Sequence, residues 1–153
     1  MIEKSKFGFL PGVFDLIHRG HIHMLKNAKN RCDYLIVAIH TDECVQQYKN
    51  KVPIFKLEDR IELVKSIQYV DTVVVLNTLN PFEFVKNELK DYRPLLMFHG
   101  TDWLPEGWVE CQEQLEGVSV LQLPLLYGQG VSTINEKNEY STSGIIQKII
   151  SGR

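Results

Sequence analysis

The chain has 153 residues, a formal net charge of −2, and a composition of 44% hydrophobic and 24% charged residues. These values are typical of one globular domain, 1–153, and the lack of a basic excess argues against a nucleic-acid partner. Cys32, Cys44 and Cys111 lie far apart and form no CxxC pair, which argues against a disulfide scaffold or a zinc site. No apolar run approaches the roughly 20 residues that span a bilayer, so we expect no membrane insertion and a cytoplasmic location.

Short apolar runs alternate with amphipathic stretches along the chain. We predict strands and helices in alternation, with strands at Lys6–Pro11, Tyr34–His40, Thr72–Leu76, Leu95–His99 and Ser119–Leu123, and helices at His21–Asn30, Leu57–Ile67, Phe82–Leu89, Trp108–Leu115 and Gly144–Ile150. Continuous apolar strands are typical of a parallel sheet covered on both faces, and the alternation indicates βαβ units. The sequence therefore predicts an α/β, doubly wound sheet of about five parallel strands, with ligands at the carboxyl ends of the strands.

A dense motif, G-x-F-D-x-x-H-x-G-H, spans Gly12 to His21 directly after the first predicted strand. Its glycines, Gly12 and Gly20, let the backbone approach a phosphate closely, and the following helix start offers N–H groups to an anion. His18 and His21 place two imidazoles at the same spot, which suits the charge stabilisation needed for nucleotidyl transfer. The alternative is that the two histidines are metal ligands or surface groups, but no nearby cysteine or carboxylate completes a metal site.

This motif resembles that of the HxGH nucleotidyltransferases, most closely the cytidylyltransferases of the glycerol-3-phosphate, phosphocholine and phosphonate type. The resemblance implies a Rossmann-like sheet, a homodimer, CTP with Mg²⁺, and direct in-line attack by an acceptor phosphate. It implies that His18 and His21 are catalytic and that Asp15 lies near the triphosphate and the metal. It also implies nucleotide contacts along the motif, at Gly12, Val13, Phe14, Asp15 and Gly20.

A basic loop and helix start follow between Tyr48 and Arg60. The segment resembles the family's lysine loop followed by its E-x-R helix start. The resemblance implies that Lys51 acts at the α-phosphate of CTP or at the acceptor phosphate, and that Lys49 lies in the acceptor site. It also implies that Arg60 holds a phosphate of the nucleotide, a role that suits the forked geometry of a guanidinium. For any single lysine, a solvated surface charge is the alternative.

Two later segments also resemble family motifs. His99-Gly100-Thr101-Asp102-Trp103 is similar to the H-G-D-D-W form, which implies that Asp102 contacts the nucleotide and Trp103 the acceptor. Ser141-Thr142-Ser143 resembles the family's closing segment, where hydroxyls and N–H groups at a helix start bind phosphate oxygens. An earlier copy, at Gly130 to Thr133, is the alternative closing segment.

Two arginines of the family pattern are replaced in this chain. Gln68 stands in place of one, and either Glu136 or Tyr127 stands in place of the other, depending on which closing segment is aligned. We expect a cytidylyltransferase that releases pyrophosphate, with glycerol 3-phosphate as the best-guess acceptor. The alternatives are an ATP-dependent adenylyltransferase of the same superfamily and a nucleotide-binding module without catalysis.

Overall fold

Five parallel strands in one sheet organise the computed structural model, which describes residues 5–100, 104–123, 146 and 148–152. In chain order the elements are β1 (Phe7–Gly12), α1 (Arg19–Lys29), β2 (Tyr34–His40), α2 (Asp42–Lys49), α3 (Leu57–Lys65), β3 (Thr72–Leu76), α4 (Phe82–Asn87), β4 (Leu95–His99), α5 (Trp108–Gln114) and β5 (Val118–Gln122). The strand order is β3-β2-β1-β4-β5, and each neighbouring pair is parallel. This is the Rossmann-like α/β sheet that the sequence predicts.

The two faces of the sheet carry separate hydrophobic cores. Strand residues alternate between faces, so Phe9 and Ile36 join a core that includes residues of α4 and α5. Leu10 and Val37, which are the next residues along their strands, join a second core that includes residues of α1 and α3. Because β1 and β2 are covered on both sides, their interior residues are almost fully buried, which explains why these strands read as continuous apolar runs.

Capping residues explain the start of the first helix and the presence of one unpredicted helix, while the predicted helices at Leu57–Ile67, Phe82–Leu89 and Trp108–Leu115 end one or two residues earlier than predicted. The first helix begins at Arg19, two residues before the predicted start, because His18 caps it. An unpredicted helix, α2, begins where Thr41 Oγ1 accepts a hydrogen bond of 3.1 Å from Cys44 N, and Asn50, whose φ is 54°, caps its C-terminal end. Its acidic first turn and basic last turn are helix signals that hydrophobic periodicity alone does not detect. Of the predicted helix at Gly144–Ile150, the structure describes residues 146 and 148–150, and these are helical.

The sheet topology places an opening at the carboxyl end of β1. The chain runs from β1 through α1 to β2 on one side, and it returns from β3 through α4 to β4 on the other side. Connections that diverge in this way leave a crevice between their strands, where ligands bind in doubly wound sheets. Gly12 ends β1 and His99 ends β4 at this edge. Among the described helices, none has the length and apolar character needed to cross a membrane.

Candidate active site

The loop after β1 has an unusual backbone that fixes the first part of the site. Phe14 and Leu16 have φ values of 56° and 47°, in the left-handed region that bulky residues rarely adopt. The Phe14 side chain is buried in the second core, and a Cβ on Gly12 would come within 2.8 Å of its ring. Glycine at position 12 therefore makes room for the ring whose burial holds the loop in this conformation.

The two motif histidines cap the helix that carries them. His18 is the N-cap of α1, and its Nδ1 accepts a hydrogen bond of 3.0 Å from Gly20 N. His21 Nδ1 accepts one of 3.2 Å from His18 N, and the two ring centroids are 3.9 Å apart. An imidazole nitrogen that accepts a hydrogen bond carries no proton, so each neutral ring is protonated at Nε2. The cap thus leaves two Nε2–H donors side by side at the start of α1, while the Gly20 N–H is used within the cap.

Burial keeps both rings neutral at physiological pH. It lowers the pKa of His21 to about 3, with a smaller contribution from the neighbouring His18. Burial also lowers the pKa of His18. The pair therefore presents two neutral hydrogen-bond donors, and the close approach of the rings carries no repulsion between cations.

Asp15 joins the motif loop to the basic loop. Its carboxylate is nearly buried, and it accepts hydrogen bonds of 2.7 Å from Ile54 N and 2.9 Å from Phe55 N. These bonds fix the end of the loop that carries Lys51 against the start of the histidine motif. Because both carboxylate oxygens already accept backbone amides, the contacts give Asp15 an anchoring role and lend no support to its predicted role as a metal ligand.

The described residues do not form a resident metal site. Among them, no group of three or more His, Cys, Asp and Glu side chains comes together. Magnesium usually keeps several water ligands and binds through one or two carboxylates together with substrate phosphates. A magnesium ion that accompanies a nucleoside triphosphate would therefore be held mainly by the substrate, and we assign it no protein ligand set.

Arg60 has a different role from the predicted one. Its side chain is 0% exposed, and its donors reach the backbone oxygens of Phe55 at 3.0 Å, Val13 at 2.8 Å and His40 at 2.9 Å. A fourth contact, of 2.5 Å, pairs it with the Asp42 carboxylate. A guanidinium enclosed by these acceptors has no exposed surface for a phosphate, so the geometry replaces phosphate binding with a positioning role. Arg60 holds the end of β2, the loop after β1 and the end of the basic loop together.

The two lysines of the basic loop lie on the open side of this arrangement. Lys49 ends α2, and Lys51 is exposed in the loop that follows. Although Lys49 as a residue is exposed, its ammonium is partly desolvated, and this desolvation, with Lys51, lowers its pKa. The charge of Lys49 also acts on the His21 ring. The structure therefore brings a cationic loop towards the histidine pair, as a phosphate site requires.

The remaining predicted site residues divide into two groups. The segment at the end of β4 is described only through His99 and Gly100, and the His99 ring lies edge-on to Trp108 at 6.0 Å. Gln68, which replaces a family arginine, is exposed in the turn after α3. The other residues predicted to contact the nucleotide or the acceptor lie outside the described residues, namely Asp102, Trp103, Ser141, Thr142 and Ser143, together with the alternative closing segment at 130–133.

Comparison with known proteins identifies the family. The chain is 37% identical over 145 residues to the FAD synthase of Pyrococcus horikoshii, covering 90% of this chain and 88% of that protein. It is 38% identical over 84 residues to a probable ethanolamine-phosphate cytidylyltransferase of Encephalitozoon cuniculi, covering 55% of this chain and 26% of that protein. The crystal structure of a lipopolysaccharide core biosynthesis protein from Thermoplasma volcanium superposes with a TM-score of 0.68 at 25% identity, covering 80% of this chain and 98% of that one. The model of the cytidylyltransferase-like family matches residues 9–148, so the chain belongs to this family of nucleotidyltransferases.

Proposed function

We propose that the protein transfers CMP from CTP to a small phosphorylated or phosphonylated alcohol, with release of pyrophosphate. The observation that carries this proposal is the pair of Nε2–H donors that the α1 cap leaves side by side at the carboxyl edge of β1. A protein that only binds nucleotide gains nothing from donors suited to charge that builds in a transition state. The histidine pair therefore favours catalysis over simple binding.

The reaction follows from the charges that must be stabilised. A phosphate or phosphonate oxygen of the acceptor attacks the α-phosphorus of the nucleotide in line with the leaving group. The new P–O bond forms as the bond to the bridging α–β oxygen breaks, and pyrophosphate leaves with that electron pair. His18 and His21 donate to oxygens on which negative charge builds, and each such donor contributes about 3–4 kcal/mol to lowering the barrier.

The basic loop supplies the cationic side of the site. Lys51, and Lys49 beside it, reduce the repulsion between the anionic acceptor and the triphosphate as they approach. Asp15 holds the loop in place through Ile54 N and Phe55 N, so that the lysines keep their position relative to the histidines. Magnesium would enter with the triphosphate and offset its charge.

Two observations support CTP and a phospho-alcohol as the substrates. The first is the similarity of the Gly100–Trp103 segment to the G-D-D-W motif. The second is the identity with a probable ethanolamine-phosphate cytidylyltransferase. We propose glycerol 3-phosphate as the first acceptor to test, followed by phosphocholine, phosphoethanolamine and aminoethylphosphonate.

A second candidate function is adenylyl transfer from ATP to a larger phosphate monoester. The 37% identity with an FAD synthase extends over 90% of this chain, further than the identity with the cytidylyltransferase. FAD consists of FMN joined to AMP, so the acceptor in that reaction is FMN. The bonds made and broken, and the roles of His18 and His21, are the same in both reactions.

Pyrophosphate release distinguishes the two candidates. Purified protein with Mg²⁺ is incubated with CTP or ATP in combination with each phospho-alcohol, aminoethylphosphonate and FMN. We expect release that requires both CTP and a small acceptor, and that falls by about a hundred-fold or more in the His21→Ala variant. The His23→Ala variant, which changes an exposed histidine of the same helix, is the control and should keep wild-type activity. Release with ATP and FMN alone would establish the second candidate, and no release with any pair would contradict both.

Light scattering at micromolar concentration tests the homodimer, which stays a prediction.

A further inference from the structure

His40 is a buried histidine at the site edge that the histidine motif does not include. It is the last residue of β2, and it is only 7% exposed. Its Nδ1 lies 3.2 Å from the Tyr48 hydroxyl, and the two rings meet edge-on at 5.8 Å. Among the described residues, no enclosed side-chain nitrogen or oxygen lacks a hydrogen-bond partner. Since the bond to Tyr48 uses Nδ1, the small exposed area of the His40 ring includes Nε2.

The backbone around His40 is tied to the histidine motif. One nitrogen of Arg60, Nη1, donates to His40 O at 2.9 Å and to Val13 O at 2.8 Å. The end of β2 and the loop after β1 are therefore held by the same donor atom. This places the His40–Tyr48 pair beside the motif loop, on the α2 side of β1. The crevice between β1 and β4 is on the other side of β1.

The charges that face this pair are cationic. Lys49 and Arg60 act on the His40 ring, and with burial, the largest cause, they lower its pKa to about 4. The same Lys49 acts on His21. Asp42 is paired with Arg60, and Asp15 accepts hydrogen bonds from the backbone of the basic loop. A neutral ring beside a lysine suits an anionic ligand.

We propose that His40 Nε2 binds the phosphate or phosphonate of the acceptor, and that Tyr48 positions the ring for this contact. The proposal rests on the nucleotidyl transfer proposed above and adds a specific acceptor contact to it. In this arrangement the Tyr48 hydroxyl donates to Nδ1, and the proton of the neutral ring is then on Nε2, where it can be donated to a phosphate oxygen. The nucleotide occupies the β1–β4 crevice, and the acceptor approaches from the α2 side, where Lys49 is the neighbouring cation.

Steady-state kinetics on matched variants test the acceptor contact. The His40→Leu variant should raise the KM for the acceptor by about ten-fold or more, because a hydrogen bond to a charged group is lost. The KM for the nucleotide should stay within about two-fold of wild type. Tyr48→Phe should raise the acceptor KM by a smaller factor, since the ring stays but its orientation is no longer fixed. His23→Leu is the control, and it should change neither constant.

The pattern of the two Michaelis constants decides the outcome. An unchanged acceptor KM in His40→Leu would overturn the proposal. An equal rise in the acceptor KM and the nucleotide KM would also overturn it, because that pattern indicates a contact with the nucleotide or a purely structural role for the ring. Should His40→Leu fail to fold, His40→Asn provides the same comparison, because its shorter amide can meet the Tyr48 hydroxyl but does not reach the position of Nε2.

A binding measurement separates this inference from the proposed reaction. Inorganic phosphate is titrated into the wild-type protein and into Tyr48→Phe, and the histidine ring resonances are followed by NMR. We expect the His40 resonances to move in a saturable way in wild type, and to need more phosphate in Tyr48→Phe. Shifts at His18 and His21 alone would overturn the His40 assignment. If the His40 resonances shift in a saturable way but the protein releases no pyrophosphate, the phosphate contact is supported and the proposed reaction is not.

Discussion

The histidine pair and Arg60 differ in how much of their hydrogen-bonding capacity the fold uses. Both resemble phosphate-binding residues of the family, and both make hydrogen bonds that hold the site together. Each histidine commits one ring nitrogen to the α1 cap and keeps the other, whereas Arg60 engages Nε, Nη1 and Nη2 with protein acceptors. A residue can serve both the fold and a ligand only when its structural bonds leave a donor available. This difference separates the chemical part of the site from its framework.

The largest effect should come from separating the cap function of His18 from its donor function. His18→Asn retains a good N-cap residue, but it removes the Nε2–H donor. We expect kcat to fall by about a hundred- to a thousand-fold, about 3–4 kcal/mol, while the melting temperature and nucleotide affinity change little. Single-turnover rates and calorimetric titration measure these quantities. A near wild-type kcat would assign His18 to the framework, and loss of a bound transition metal along with activity would favour a metal site.

For Arg60 we expect the opposite pattern, in which a substitution lowers stability first. Arg60→Met leaves the oxygens of Val13 and His40 without their donor, and the Asp42 carboxylate without its partner. We expect the free energy of unfolding to fall by about 3 kcal/mol, measured by urea denaturation. Lys51→Met is the matched control. Because Lys51 is exposed, its replacement should lower activity while the free energy of unfolding stays within about 0.5 kcal/mol of wild type. A stable Arg60→Met protein with weakened nucleotide binding would restore the phosphate role.

Replacing Asp15 should lower the stability of the protein and also raise the KM for the acceptor. Asp15→Ala removes the acceptor of two backbone N–H groups in the basic loop, and we expect it to cost about 2 kcal/mol of stability. The loss of the anchor should also raise the KM for the acceptor, since the lysines are no longer held. Urea denaturation and steady-state kinetics measure the two effects, with the exposed Asp91→Ala as a control. If Asp15→Ala instead abolishes the Mg²⁺ dependence of the reaction, the metal role would be supported.

The smallest effect concerns acid stability. The pKa values of His21 and His40 are lowered to about 3 and about 4, below the ordinary value near 6.5 that both have in the unfolded chain. The native state therefore binds fewer protons than the unfolded state below pH 6.5, so stability is complete above that pH and decreases as the pH falls. We expect a loss of about 1 kcal/mol per pH unit for each histidine between pH 6 and 5. Urea denaturation at several pH values should show a shallower slope for His40→Gln than for His23→Gln, and equal slopes would contradict the assignment.

The sequence predicts the sheet well because the buried strands are visible as apolar runs. Tyr34–His40, Thr72–Leu76 and Leu95–His99 have the predicted bounds, and the first and last strands shift by one residue. These strands are recognisable because burial on both faces demands apolar residues at nearly every position. The missed helix, α2, buries only Cys44 and Val45, so its apolar signal is weak and its capping residues are the better indication.

The candidate site is less predictable than the sheet because backbone atoms form much of it. The motif histidines are found from their spacing, but the tautomer follows only from the bonds that Gly20 N and His18 N make. The carbonyl oxygens around Arg60 have no sequence signature. The family resemblance therefore predicts that Arg60 binds a phosphate, whereas its hydrogen bonds show that it holds backbone segments together. His40 reads as an ordinary strand residue, although its place at the end of a buried strand is a signal that can be used.

The cap at the start of α1 has a consequence for how this protein can diverge after gene duplication. Because His18 does the work that asparagine or serine does in most helix starts, a copy that exchanges it for one of them keeps a stable fold and a formed nucleotide crevice. Selection for stability alone does not preserve the reaction in such a copy. We therefore expect copies that have lost catalysis to carry substitutions at position 18 while the strands and Arg60 stay intact.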